Sequence, residues 1–321
     1  LIQDHDAAKK NYGIIADHPE RINLNYFSGK RGSPDWNHIN AVDYNPELDQ
    51  ILLSVRGFSE IWIIDHSTSI LESAAHSGGN YGKGGDLLYR WGNPQTYGAG
   101  TEAEQAFYGQ HDAQWIQGGF PGEGNILVFN NGMGRENELY STIDEMKPPL
   151  MVNGNYEREP GEAYAPKKLV WQYKAEQPKS FYADHISGAQ RLLNGNSLVC
   201  DGVHGIFFEV TPQKKVVWQY DFGGEVFRVT GFSLEDERIQ NLSLRPSGEV
   251  EVELGTMKNL TQQPEGTKDL GKQRLPPQNA IDACQGLDLG DICTLKTAAA
   301  NVYGVCRMVK SQLACIPNDF P

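Results

Sequence analysis

No apolar run in the 321 residues approaches the roughly 20 that a membrane-spanning helix needs, so the sequence marks no such span. Positive charge is in short supply: 28 Lys and Arg stand against 41 Asp and Glu, for a net charge of −13. Nucleic acids are held by basic surfaces, so this balance excludes them as partners, and any anion site must be local. Cysteine is almost missing from the body of the chain, where Cys200 stands alone in an apolar run and reads as a buried free thiol. No long stretch carries the 3.6-residue periodicity of an amphipathic helix, which leaves an all-β chain.

What is present is a repeat. Three histidines, His38, His111 and His185, each open a copy, and each is followed by an apolar strand-like run: Ile51-Leu52-Leu53-Ser54, Ile126-Leu127-Val128-Phe129 and Ser197-Leu198-Val199-Cys200. Each copy closes on aliphatics followed by aromatics, Leu87 to Trp91, Leu169 to Tyr173 and Val216 to Tyr220. Asn194-Gly195 between apolar runs is a hairpin signal. A Pro-, Gly-, Asn- and Glu-rich insertion, Met146 to Lys167, lengthens the second copy. Repeated small antiparallel sheets point to a β-propeller, with an irregular sandwich as the plainer alternative. Trp91, Trp171 and Trp218 are then core between sheets. A weaker fourth copy is expected through Val226-Phe227-Arg228-Val229 and Glu249 to Leu254. A propeller needs about four to eight blades, and the chain opens at Leu1-Ile2-Gln3-Asp4 without an initiator Met or signal peptide, so further blades are expected upstream of residue 1.

The other four cysteines crowd the C-terminus. Cys284, Cys293, Cys306 and Cys315 sit among glycines and few large aliphatics. Such a core-poor module with an even cysteine count reads as a disulfide staple from an oxidising compartment, with periplasmic or secreted location; nested pairs, Cys284 with Cys315 and Cys293 with Cys306, are expected. A zinc site would space its paired cysteines more closely. The expected organisation is residues 1–256 as the β-repeat domain, 257–280 as a Gln-, Pro- and Gly-rich linker, and 281–321 as the cysteine module.

A repeat that returns a histidine to the same place can converge imidazoles on one centre. Asn40 is two residues from His38, on the same face of a regular strand. Arg56 follows the next strand. A guanidinium is a poor neighbour for a metal and a good one for sulfate, phosphate or carboxylate. A histidine beside such an oxyanion site can serve as nucleophile or as general acid and base. Asp43, Asn45 and Asp49 offer oxygens of the kind Ca²⁺ takes, without an EF-hand loop signature. His66 and His76 lie in a Ser- and Gly-rich loop and read as surface residues.

Asp35 to Asn45, Ile51 to Arg56, Glu60 to Thr68, Asp86 to Pro94, Gln110-His111-Asp112 and Gly124 to Gly132, taken in order, resemble the bacterial arylsulfotransferases that do not use the nucleotide sulfate donor. The resemblance covers residues 1 to about 222. It implies a six-bladed propeller and ping-pong sulfuryl transfer from an aryl sulfate to a phenol, with no cofactor. By position in the motif, His111 is the implied nucleophile. His38, Asn40 and Arg56 are the implied holders of the sulfuryl oxygens. His185 carries no role in the motif and is kept as a substrate-binding candidate. The cysteine module is not part of the family's well-understood enzymes, and a further family histidine upstream of His38 is expected outside this sequence. Two rivals remain: a non-catalytic secreted propeller that binds a partner, and a metal or quinone oxidoreductase with His38, His111 and His185 as ligands.

Overall fold

The apolar runs of each repeat become the second strand of a four-stranded antiparallel meander. The computed structural model describes residues 14–24, 26, 35–233, 236–240, 242, 278–287, 292–296, 301–309 and 312–317. They fall in two compact units, Leu1–Gln262 and Gln263–Pro321. The first unit holds three such sheets. The first sheet is β1 (Ile39–Asn45), β2 (Gln50–Val55), β3 (Glu60–Asp65) and β4 (Tyr89–Trp91). The second is β5 (His111–Trp115), β6 (Ile126–Asn130), β7 (Thr142–Met146) and β8 (Trp171–Tyr173). The third is β9 (Gly188–Arg191), β10 (Ser197–Asp201), β11 (Ile206–Val210) and β12 (Val216–Asp221). Within every sheet the strands follow chain order. The sheets meet through their early strands: β1 lies against β5, and β9 against β5 and β6.

Alternation on the strands builds the core between sheets. On β6, Ile126 and Val128 face a cluster shared with Leu52, Ile61, Ile63 and Trp91 of the first sheet. Leu127 and Phe129 face the opposite way, toward Phe181, Val199, Phe208 and Val210. A strand buried on both faces contributes about 1.5–3 kcal/mol for each large apolar side chain it hides. The long insertion belongs to this core as well: Tyr156 and Tyr164 are buried against Tyr89, and the Tyr156 hydroxyl donates to Gln50 Oε1 at 2.6 Å. Trp91 is buried between sheets and Trp171 packs at the edge of the second core. Trp218 does not join either cluster; it is half-buried on edge strand β12, stacked on Tyr220.

The expected fourth copy is not a strand where it is described. Val226 to Val229 is irregular chain, fastened by single bonds from Val226 N–H to the Gly202 carbonyl and from Ser187 N–H to the Phe227 carbonyl. Both bonds run to residues just outside β9 and β10, not along a neighbouring strand. Glu249 to Leu254 lies outside the described residues. Among the described residues no helix is long and apolar enough to cross a membrane.

The second unit contains a short helix, Gln278–Asp282, and a sheet of β13 (Ile292–Lys296), β14 (Asn301–Val309) and β15 (Gln312–Pro317) in that order. Its buried centre includes all four cysteines. The disulfides are Cys284–Cys306 and Cys293–Cys315, and the nested pairing expected from the sequence is wrong. Cys306 and Cys315 are direct partners across the β14–β15 ladder, so the hairpin carries one cysteine on each strand. Each then takes a different earlier cysteine, one beside the helix and one on β13.

Candidate active site

Each of the three sheets is entered through a left-handed residue that is not glycine. His38 has φ 46°, Asp112 has φ 53°, and Ile186 and Ser187 have φ 43° and 81°. Such residues are uncommon and cost of order 1–3 kcal/mol each, and they cluster at functional sites. Two of the entries are also β-bulges. Ile39 pairs with Val55 and Ala41 with Ser54, so Asn40 is the extra residue; His111 pairs with Phe129 and Gln114 with Leu127, so Asp112 and Ala113 share one partner. A bulge re-aims side chains. The simple alternation argument for His38 and Asn40 therefore fails, because His38 precedes the strand and Asn40 sits in the bulge.

The bulges bring four of the predicted residues to one end of the first two sheets. His38 and His111 are edge-to-face, with ring centroids 6.3 Å apart. His38 Nδ1 pairs with Asp35 at 2.5 Å. Asn40 donates from Nδ2 to the Gln110 carbonyl at 2.7 Å, next to His111. Arg56 follows β2, and its N–H donates to the His38 carbonyl while Gly57 N–H donates to that of Asn37. Gly57 is needed for this approach, since a Cβ there would lie 2.7 Å from the Trp36 carbonyl oxygen. Arg56 Nη2 reaches Met133 Sδ at 3.3 Å. Arg56 Nε and Asn40 Oδ1 are buried with no hydrogen-bond partner among the described residues. A buried donor left unpaired beside two histidines is the kind of group a ligand oxygen satisfies.

His111 is 4% exposed, and its Nδ1 lies 2.8 Å from Asn131 Oδ1. Burial pushes its pKa down to about 4, helped by the charges of Arg56 and His38 and opposed by the hydrogen bond to Asn131 and, least, by the Gly109 carbonyl. The ring is thus neutral at ordinary pH. Its neighbour Asp112 points elsewhere, accepting from Arg228 Nη1 at 2.7 Å and from Ala189 N–H at 3.1 Å. Burial raises the Asp112 carboxyl to about 6, against the pull of Arg228. Gly188 makes room for it, since a Cβ there would lie 2.2 Å from Asp112 Oδ2.

His185 is the predicted residue that stays apart. Its Nδ1 pairs with Asp184 at 2.5 Å and its Nε2 lies 3.9 Å from Glu225. What its segment supplies instead is backbone: the Ile186 carbonyl accepts from Asn131 Nδ2. Asn131 and Met133 were given no role in the sequence reading, although Asn130-Asn131-Gly132 lay within the resembling segment. Residues 135–139, further along that loop, wall a cavity of about 490 Å³ with Lys179, Tyr182 and His204.

The residues named for Ca²⁺ do not converge. Asp43 accepts from the Trp115 N–H, Asn45 from the Glu47 and Leu48 N–H groups, and Asp49 pairs with Tyr44 and His66. His66 and His76 are half-exposed surface residues, as expected. Among the described residues, the set of Cys, His and carboxylate groups close enough to share an ion is Cys284, Cys293 and Cys315, all engaged in disulfides.

The first unit is thus a set of meander sheets, with His38, His111, Arg56 and Asn40 gathered at one end of the first two. The model of the arylsulfotransferase (ASST) family matches residues 14–240, and the chain belongs to that family. No curated protein matches the chain. Among solved structures, a protein of unknown function from Bacteroides caccae is similar at 15% identity over 62% of this chain, with a TM-score of 0.34. The chain spans 50% of that protein's length, and the likeness is too slight to add to the fold.

Proposed function

We propose that this chain transfers a sulfuryl group from an aryl sulfate to a phenol by a ping-pong route through a sulfated His111. The observation that carries the reading is a buried, neutral imidazole set beside His38 and Arg56, on a chain of the arylsulfotransferase family. The His111 ring nitrogen forms the N–S bond as the S–O(aryl) bond breaks, and the phenolate leaves with the electron pair. In the return half, the acceptor hydroxyl attacks sulfur, the N–S pair goes back to the ring, and His38 takes the hydroxyl proton. Arg56 and Asn40 hold the sulfuryl oxygens. Sulfuryl transfer, like phosphoryl transfer, is expected to pass through a loose transition state, so positioning and charge stabilisation do most of the catalysis. His185, paired with Asp184 and apart from the other four residues, is given no part in the transfer.

The three meanders, joined through their first strands, fit blades of the six-bladed propeller that the resemblance implies. Two disulfides fit a periplasmic or secreted location. The test is nitrophenolate release from 4-nitrophenyl sulfate with phenol as acceptor, for the full chain and for His111→Asn. Phenol-dependent release that falls by at least about 10³-fold in the variant is expected, since removing a nucleophile leaves only binding and charge stabilisation. No release from the parent between pH 6 and 9, or equal release from the variant, defeats the reading.

A further inference from the structure

Asn131, just past β6, is fully buried. Its Nδ2 donates to the carbonyls of Ala183 at 2.8 Å and Ile186 at 3.1 Å. Its own carbonyl accepts from the Ser141 hydroxyl at 2.8 Å, and that hydroxyl accepts from Ala183 N–H at 2.9 Å. Side chain and backbone are therefore both pinned to the segment that leads into the third sheet. Turning the amide over would set its oxygen against two carbonyl oxygens and leave that of Ala183 with the Ser141 hydroxyl alone, at 3.3 Å. The orientation is fixed by the donor and acceptor inventory alone. Asn131 Oδ1 then faces His111 Nδ1 at 2.8 Å, and an amide oxygen can only accept.

We propose that Asn131 is a positioning residue for the transfer: it holds His111 as the Nδ1–H tautomer, so that Nε2 carries the lone pair that attacks sulfur. This deepens the transfer reading and rests on His111 being its nucleophile. The proton stays on Nδ1 throughout, donated as a hydrogen bond to the amide oxygen. When Nε2 forms the N–S bond the ring gains its positive charge without a proton moving on or off it, and the charge is relieved when the acceptor takes the sulfuryl group. An amide suits this task better than a carboxylate. A negative partner at Nδ1 would favour the imidazolium and remove the nucleophile; the amide orients the ring without supplying charge. The charged and titratable groups facing His111 are Arg56 and His38, which disfavour its protonation. The competing acceptor is the Gly109 carbonyl, which has the weakest influence on the ring.

The first test needs no activity. In full-length protein with ¹⁵N-labelled histidine, the ring signals that vanish in His111→Gln identify His111, and their two-bond couplings give the tautomer. The Nδ1–H form is expected near pH 7; the Nε2–H form, or a mixture of the two, overturns the proposal whether or not the chain transfers sulfate. Two variants supply the second test. Asn131→Ala is expected to lose the tautomer bias and to lower kcat about 10–100-fold, as loss of a supporting partner commonly does, with KM little changed. Asn131→Asp keeps an acceptor at Nδ1 and is expected to retain the tautomer while moving the acid limb of kcat/KM up by about 1–3 units. An Asn131→Ala protein with the parental tautomer and kcat, or an Asn131→Asp protein with an unmoved acid limb, also overturns it. Failure of transfer in the parent with the Nδ1–H tautomer intact would strike the nucleophile assignment and leave the tautomer assignment standing.

Discussion

His111 and Asp112 are consecutive, both almost fully buried, and burial displaces them in opposite directions. The native His111 ring resists a proton down to about 4, whereas the unfolded chain takes it up below 6.5, so this residue costs stability as pH falls from 6.5 to 4. Native Asp112 keeps its proton up to about 6, whereas the unfolded chain releases it above 3.8, so this residue costs stability as pH rises from 3.8 to 6. Each effect is worth about 3 kcal/mol across its window, at about 1.4 kcal/mol for each unit of displacement. The two nearly cancel in the parent. His111→Gln is expected to unmask the acid-stabilised slope and Asp112→Asn the opposite one, in urea unfolding measured between pH 4 and 7. Stability curves that run parallel for all three proteins would show that neither group is displaced. Part of this centre was legible in the sequence, because His38, Asn40, Arg56 and His111 each fall in short motifs read in order. Asn131 was not, since its link to His111 arises from the pairing of His111 with Phe129, which puts the end of β6 beside the start of β5.

The strands themselves were legible from their aromatic and β-branched runs and from the repeat, and the three apolar runs do form β2, β6 and β10. The bulges and left-handed entries were not, because a bulge is a mismatch between two strands and neither strand alone records it. The same limit hid the fastening of the first sheet. Glu60 opens β3 and Arg90 lies on β4, and both side chains are 0% exposed. Arg90 makes a two-pronged bond to Glu60, with Nη2 at 2.6 Å and Nε at 3.0 Å, and the carboxylate also accepts from Trp62 and Thr96. The guanidinium stacks 4.5 Å from the Tyr97 ring centroid. The Glu60 carbonyl accepts from Gln110, one residue before His111, so the fastening reaches the candidate site. Breaking such a pair leaves a buried charge alone, and Glu60→Gln is expected to cost about 3–5 kcal/mol. Arg90→Lys should not be benign, because an ammonium cannot reproduce the fork. In a urea double-mutant cycle the loss in Glu60→Gln with Arg90→Gln should fall well short of the sum of the single losses; simple additivity would show that the pair is not the fastening.

At the scale of the whole molecule, the residues offered for transfer all lie in Leu1–Gln262, and both disulfides lie in Gln263–Pro321. The family match likewise ends at residue 240. The cysteine module was legible as a stapled unit because its composition could not supply a core. Its connectivity was not legible, because four cysteines permit three pairings and the choice depends on where the helix and all three strands carry them. Each bond closes a sequence separation of 22 residues, for which chain entropy gives about 3 kcal/mol. Replacing both Cys293 and Cys315 by Ala is therefore expected to lower the unfolding free energy of the C-terminal unit by about 2–4 kcal/mol. A calorimetric trace should show one transition move down while the other holds, and nitrophenolate release should stay within about twofold of the parent, as expected for independent sites. The pairing itself can be read without reduction: after cleavage at Asp288 or Asp291, at Lys296 and at Arg307, mass spectrometry should find the Cys284 peptide joined to the Cys306 peptide, and the Cys293 peptide to that of Cys315. If transfer instead collapsed with the Cys293–Cys315 bond, the module would have to act on the histidine centre, and the division of labour between the two units would be wrong.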